Sequence, residues 1–319
     1  MVIKVGELRG LGALASEARL RFEAEQREIG SGPGRRLLAV DGKPAFELSS
    51  WCGTCPFLFR RLEGSRQTLS LDSVQDQLTE ELVDLDDGGV IDAFGALLPE
   101  GTYLPFLLRV EPRLVVPGQQ DDYFSHEQVA TWGLDQFWGL PEYPHTPYYR
   151  TFETPVDEFA HLYEFVVPMV PPTWNERERV EEYVELMDQG TAPTAVAIST
   201  LDVCQPAIGM TDDQYQHWGL THFLLDGHHK LEAAATAGRP VQLLSLLALG
   251  EGLAGSEEYA RLPALRAQPR SARDLYALIR RDARTGMSTR AVMRKYDVGH
   301  ETVQRALGPL SEGSAIIPR

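Results

Sequence analysis

The sequence has 319 residues, 43% hydrophobic and 24% charged, with a formal net charge of −16. Its length exceeds what one core usually serves, so two or three domains are expected. The composition excludes a disordered chain, and the acidic average argues against a protein coated in nucleic acid. No apolar run approaches the roughly 18 residues of a membrane span. The opening "MVIKVGELRGLGALASEARL" lacks the apolar core and cleavage site of a secretory signal. The expected location is therefore cytoplasmic, with no membrane partner. Three cysteines, Cys52, Cys55 and Cys204, are too few for a disulfide framework and suit reduced thiols. The charge is uneven: residues 262–319 hold eleven Lys/Arg against five Asp/Glu, a local +6, which leaves −22 for the remainder of the −16 total. A basic end on an acidic protein marks a partner-binding region.

In chain order, "ARLRFEAEQREI" and "RRLLAV" read as strands separated by the flexible "GSGPG". "RRLLAVDGKPAFELSS" predicts a hairpin turned by Asp41-Gly42. "SSWCGTCPFLFRRL" offers a Cys-x-x-Cys, Cys52 and Cys55, with three readings: a redox pair, half of a zinc site completed by Cys204, or thiols packed near Trp51 and Phe57. The hairpin before it is not the lead-in that a thioredoxin-like fold needs. "LPEGTYLPFLLRVEPRLVV" predicts two short strands, and residues 121–149 read as irregular, aromatic-rich packing.

"NERERVEEYVELMDQG" predicts a helix capped by Asn175, with Val180, Tyr183, Val184 and Met187 at helical spacing and Gly190 closing it. "TAVAISTLDV" and "THFLL" are strands, "HHKLEAAATAG" a helix ending at Gly238, and "VQLLSLLAL" a third strand; the last unit reads as βαβ. "GEGLAGSEEYARLPALRAQPRSA" reads as a linker with one short helix. The expected fold class is α+β: a β-rich domain of unassigned role at 1–150, an α/β domain at 151–255, a linker at 256–271 and a three-helix helix-turn-helix at 272–319.

"LLDGHHKLEAAATAG" concentrates the chemistry. A strand that turns through glycine into a helix presents free N–H groups and the positive end of the helix dipole to an anion. Gly227 lets the backbone approach a ligand; His228, His229 and Lys230 add donors and charge; Ala233, Ala234 and Ala235 make a slim helix. Asp226 can hold a metal, act as a base, or orient a histidine. A structural turn in which the histidines pair with Asp226 is the competing reading. His217 or His222 with Asp226 offers imidazole and carboxylate to zinc or iron, yet without regular ligand spacing, so no metal site is assigned.

"THFLLDGHHKLEAAATAGRPVQLLSLL" resembles the Gly-x-x-Arg-x-x-Ala box of the ParB/sulfiredoxin-like superfamily, in its Asp-Gly-His-His-Arg version. Gly227, Lys230 and Ala233 fall in the Gly, Arg and Ala places, and the resemblance covers 191–249. It implies a helix start that binds nucleotide phosphates, with CTP or ATP, and Mg²⁺ alongside, as the ligand. Lys230 stands where the family has Arg, a point charge without the bidentate fork, and no Glu-Asn-x-x-Arg motif follows. The superfamily spans DNA clamps, a reductase and small-molecule kinases, so membership would fix the site better than the reaction.

"LYALIRRDARTGMSTRAVMRKYDVGHETVQRALG" reads as three helices. Leu275, Leu278 and Ile279 face inward in the first, which ends at Gly286; Ser288 caps the second; His300 to Leu307 form the third, with Val303 and Leu307 inward. The run Gly286-Met287-Ser288, Arg294-Lys295-Tyr296, Val298 and Thr302-Val303 resembles the N-terminal helix-turn-helix of an insertion-sequence transposase family over about forty residues. That resemblance implies that His300, Glu301, Thr302, Gln304 and Arg305 meet bases or phosphates, with Gln304 suited to adenine and Arg305 to guanine or phosphate, while Arg290, Arg294 and Lys295 hold the DNA backbone. No retroviral-type catalytic domain follows in the sequence, so DNA binding and not transposition is expected. A bundle used only for packing or for a homodimer is the competing reading; no heptad pattern accompanies it.

Two functions stay open at this point. One is a ParB-like, nucleotide-responsive DNA-binding protein, acting in segregation or transcriptional control. The other is a phosphate-transfer enzyme, a small-molecule kinase or a nuclease, with Asp226 and His228 as catalytic groups and His229 and Lys230 steadying phosphoryl charge.

Overall fold

A computed structural model of the chain describes residues 2–14, 17–25, 34–50, 54, 56, 58–80, 83–86, 88–119, 121–134, 139–157, 159–206, 216–267, 276, 279–280, 282–283, 287–296 and 300–307, with only the backbone described at 80, 267, 294–296 and 301. It divides into two units, 1–267 and 268–319.

The strands of the first unit are β1 (Val2–Val5), β2 (Arg9–Leu11), β3 (Leu20–Glu25), β4 (Arg35–Val40), β5 (Lys43–Leu48), β6 (Phe59–Arg61), β7 (Gly101–Val110), β8 (Arg113–Val115), β9 (Tyr148–Pro155), β10 (Ala160–Pro168), β11 (Thr194–Cys204), β12 (Gln216–Asp226) and β13 (Val241–Ala248). Nine of them build a mixed sheet in the order β1-β7-β13-β11-β12-β10-β9-β8, with β2 beside β7; β3 to β6 form a separate antiparallel meander. The helices are α1 (Gln75–Glu80), α2 (Gly89–Gly95), α3 (Glu127–Trp132), α4 (Arg177–Asp188), α5 (His228–Ala237) and α6 (Ser256–Ala267). The class is α+β, as the element pattern predicts.

Alternation along the central strands gives the large sheet two apolar faces. On β12, Phe223 and Leu225 enter one core, Trp218, Leu220 and Leu224 the other. The first core gathers Phe46 and Phe59 of the meander with Leu78 of α1, Phe94 of α2 and Trp132 of α3. The second gathers Val180 and Tyr183 of α4, Leu231, Ala233 and Ala234 of α5, and Leu262 and Leu265 of α6. Phe46 meets Phe223 with ring centroids 4.9 Å apart, joining meander to sheet. Each such side chain, fully buried, stabilises the fold by roughly 1.5–3 kcal/mol. Buried Arg36 of β4 adds a polar bolt, donating to Asp202 Oδ1 of β11 at 2.7 Å and to the Ser49 carbonyl at 2.9 Å.

Several expectations are met. Asp41 (φ 49°) and Gly42 (φ 73°) turn the β4–β5 hairpin, as the Asp-Gly pair requires. Gly190 (φ 96°) follows α4, and Gly238 (φ 61°) closes α5 in the left-handed region.

Other boundaries are corrected. The division at residue 150 does not hold, because β7 pairs with β13 along its length and β1 pairs with β7, so both sides of that boundary share one sheet. The β12–α5–β13 run is not a parallel crossover. β11 lies between, antiparallel to β12 and parallel to β13; it takes the slot beside β12 because consecutive strands tend to pair. Residues 256–267 of the expected linker form α6, which holds Leu262, Leu265 and Arg266 inward despite Pro263 within it. Asn175 does not cap α4; its side-chain amide donates instead to the His228 carbonyl at 3.3 Å and to Glu232 at 2.7 Å, and Glu176 takes the cap position without a side-chain bond. The segment 121–149 contains α3 and the start of β9. Trp51, Cys52, Cys55 and Phe57 lie outside the described residues; Cys204 is buried as a free thiol.

In the second unit, α7 (Thr289–Tyr296) and α8 (His300–Leu307) follow helical residues at 276, 279–280 and 282–283. Ile279, Val292, Val303 and Ala306 form its core, with Tyr276, Met287 and Met293 packed against it. Ser288 caps α7 as predicted, its Oγ accepting the Ala291 N–H at 3.3 Å. Leu307 is exposed, and Ala306 takes the inward place expected of it. Leu275, Leu278, Gly286 and 297–299 lie outside the described residues. Among the described residues no helix is long and apolar enough to cross a membrane.

Candidate functional site

The box forms where β12 ends at Asp226 and α5 begins at His228. Gly227 joins them with φ 95°. Its missing side chain has a packing cause: a Cβ there would stand 2.7 Å from the Ala195 Cβ and 2.9 Å from the Ala195 Cα of β11. Glycine thus lets α5 start hard against the sheet. The buried Ala233 and Ala234 continue that close approach. Gly227 offers no capping side chain, and the Leu231 N–H makes the first intrahelical bond to its carbonyl at 2.9 Å.

Most of the box is interior. Asp226, His228 and Lys230 are all under 5% exposed, while His229 is half-buried. The Lys230 ammonium donates to the Thr194 carbonyl at 3.1 Å, the Leu78 carbonyl at 3.4 Å and Asp226 Oδ2 at 3.4 Å. An ammonium has three donors, so these acceptors saturate it. Burial lowers the Lys230 pKa, and Asp226 opposes that shift. The other Asp226 oxygen accepts the Gln75 side-chain amide at 3.2 Å. α1 therefore lies over the box through Gln75 and Leu78, a contact across some 150 positions of sequence that no local pattern announces.

His228 behaves differently. The Met169 N–H donates to its Nε2 at 3.1 Å, which places the ring proton on Nδ1. That Nδ1 is buried and has no hydrogen-bond partner among the described residues. Burial pushes the imidazole pKa down to about 4, against the pull of Asp226, so the ring is neutral at pH 7. His229 Nε2 accepts the Glu176 N–H at 3.2 Å, and burial lowers its pKa as well. The box thus brings together a saturated cation, a carboxylate bonded at both oxygens, and one buried N–H donor left open.

The remaining histidines of β12 do not join the box. His217 and His222 are five residues apart on one strand and face opposite sides. His217 bonds Tyr123 and Thr131 at 2.7 and 2.8 Å. His222 bonds Ser199 Oγ through Nδ1 at 2.7 Å, and Ser245 donates to Ser199 at 2.8 Å. Its Nε2 stands 3.9 Å from Glu164, which accepts two bonds from Arg266 of α6, at 2.5 and 3.1 Å. Burial disfavours the Glu164 carboxylate, yet Arg266 and His222 more than offset that and hold its pKa well below the usual carboxylate range. This buried network escapes sequence reading; its only trace is polar residues inside otherwise apolar strands, as in "AVAIST" and "THFLL".

In the second unit, His300, Gln304, Arg305 and Arg290 are exposed and Thr302 is half-buried, while Val303 and Ala306 of the same α8 point inward. The side chains of Arg294, Lys295 and Glu301 lie outside the described residues. α8 is therefore two-sided: an apolar side that closes a core and a polar side open to solvent.

No family model matches the sequence, and comparison with curated proteins and with solved structures finds no match.

Proposed function

We propose that the chain is a nucleotide-responsive DNA-binding protein in which α8 docks in the major groove. The observation that carries this reading is the exposed set His300, Gln304 and Arg305 on a helix whose other side, Val303 and Ala306, closes a small core. The local +6 charge around it supports contact with a polyanion. On this reading Arg290, Arg294 and Lys295 hold phosphates and Gln304 and Arg305 read base edges. A homodimer would set two such helices one helical turn apart on DNA.

The ligand is the phosphate of CTP or ATP at the start of α5, as the ParB/sulfiredoxin-like resemblance implies. The uncapped first turn and the open Nδ1–H of His228 support this part, with His229 at the edge. Lys230 does not serve as the phosphate contact, because its donors are all engaged. Both Asp226 oxygens already accept hydrogen bonds, so Mg²⁺ would come with the nucleotide and not be held by the box beforehand. The same engagement gives a phosphate-transfer enzyme based on Asp226 less support.

Anisotropy of a labelled duplex, titrated with the full chain and with a chain ending at Ala267, tests the reading. The full chain binds and the shortened one does not; equal affinity of the two overturns it. Titration of CTP and ATP with Mg²⁺ tests the ligand: binding weakens about tenfold in His228→Ala, the loss of one hydrogen bond in a dry site.

A further inference from the structure

Away from the box, the first unit carries a cavity of about 250 Å³ at the ends of α4 and α5 and the start of β13. Its lining is chemically one-sided. Arg109 of β7, Arg239 just after α5, Thr191 and Gln242 face it, with Met187 and Val241 among its apolar lining. Among the described residues no Asp or Glu lines it, although Asp and Glu outnumber Lys and Arg by more than two to one in residues 1–267. Gln242 Oε1 is engaged as acceptor of the Thr194 hydroxyl at 3.0 Å, which orients the amide and leaves its NH₂ end as the donor. Asp188 stands beside the cavity and accepts one bond from Arg239 Nη2 at 3.0 Å. Both partners are more than half exposed, at 53 and 57%, so this pair is weak and the guanidinium is easily diverted.

We propose that this cavity is a binding site for a small anion, a phosphate or carboxylate head with a short apolar body. Arg239 receives the charge, Thr191 and the Gln242 amide fix the head, and Met187 and Val241 contact the body. A guanidinium suits both heads because its planar fork matches two oxygens. The volume lies just under the usual range for ligand pockets and limits the ligand to a small one. The Gln242–Thr194 bond places the cavity one residue from the carbonyl that holds Lys230, though nothing in the proposal depends on nucleotide binding at the box.

The test uses the full chain with phenyl phosphate and benzoate as probes of the two heads and inorganic phosphate as the control without a body. Binding is read by calorimetry and by the shift in melting temperature. The wild type binds at least one of the two probes in the millimolar range or tighter and more tightly than inorganic phosphate. Arg239→Ala weakens that binding about tenfold, the scale of one charge-assisted bond. Asp188→Asn is the decisive variant: it releases Arg239 and tightens binding severalfold if the cavity is a site. If Arg239 serves only to pair with Asp188, that variant changes nothing. No binding of either probe at 20 mM (about twentyfold above the roughly millimolar affinity a small charged fragment reaches), or equal affinity in wild type, Arg239→Ala and Asp188→Asn, overturns the proposal. DNA affinity is unchanged in both variants, so this result stands apart from the DNA-binding reading.

Discussion

Two helices in this molecule open with histidine, carry a basic side chain, and have opposite surroundings. α5 opens His-His-Lys; α8 opens with histidine and carries Arg305 in its last turn. In the first, His228 and Lys230 are under 5% exposed and the lysine is held by three protein acceptors. In the second, His300, Gln304 and Arg305 lie open beside a core of a few small and aliphatic side chains. The difference is set by what packs around each helix. α5 is pinned by Ala195, Ala233 and Ala234 to a sheet with two cores and is overlaid by α1, so its Lys230 ammonium finds its acceptors inside and leaves only the His228 Nδ1–H open. α8 has one apolar side to bury, and no described residue of its own unit covers the other. A helix bearing histidine and a cation is thus an interior staple in one place and a contact surface in the other.

The comparison breaks most sharply where charge is buried. Glu164→Gln leaves Arg266 without its anion and costs about 3–5 kcal/mol in chemical denaturation, whereas a charge removed from α8 leaves the midpoint where it was. Acid has a related effect. Glu164 has a depressed folded-state pKa, so its contribution is fully present above the ordinary carboxylate pKa and is lost as pH falls toward the folded value; a melting curve against pH that is flatter in Glu164→Gln checks this. Gly227→Ala comes next. The left-handed φ and the 2.7 Å approach to Ala195 predict a loss of about 2–3 kcal/mol, and an unchanged melting temperature would show that α5 does not need its close start. Ser288→Ala removes the α7 cap and costs the second unit about 1 kcal/mol, read by hydrogen exchange of its amides. The effect of His228 is confined to acid and absent near pH 7. Its lowered pKa means that the folded state resists protonation, so stability falls as pH drops from about 6.5 to about 4, and His228→Gln removes that slope without touching the acid limb of Glu164.

What the sequence discloses follows the same division. Local devices are legible: the Asp41-Gly42 turn, the Gly190 and Gly238 stops, the Ser288 cap, the inward Val303. Each is decided by residues within a few positions. The pairing of β7 with β13 is not legible, since strands some 140 positions apart carry no mark of their partner. For the same reason the domain boundary at 150 fails; the one short helix expected in the linker is α6, but its packing against the first unit through Leu262, Leu265 and Arg266 is a tertiary contact that the Gly, Ser and Pro around it do not announce. At the box, the glycine and the alanines are readable as close packing. The role of Lys230 is not, because its acceptors come from Thr194 and Leu78 in remote segments. Asn175 shows the limit of propensity: it has the right identity for a cap and the structure engages it with His228 and Glu232.

The account turns on one matched pair of variants, Lys230→Gln and Arg305→Gln, each measured for melting temperature and for affinity to duplex DNA across a salt series. An interior Lys230 predicts a melting temperature well below wild type with DNA affinity retained below that temperature. An outward Arg305 predicts stability within about 0.5 kcal/mol of wild type and DNA binding weaker by roughly tenfold, with a shallower salt dependence. The reverse pattern, stable Lys230→Gln that loses its ligand or its DNA and Arg305→Gln that binds DNA as wild type does, would contradict it.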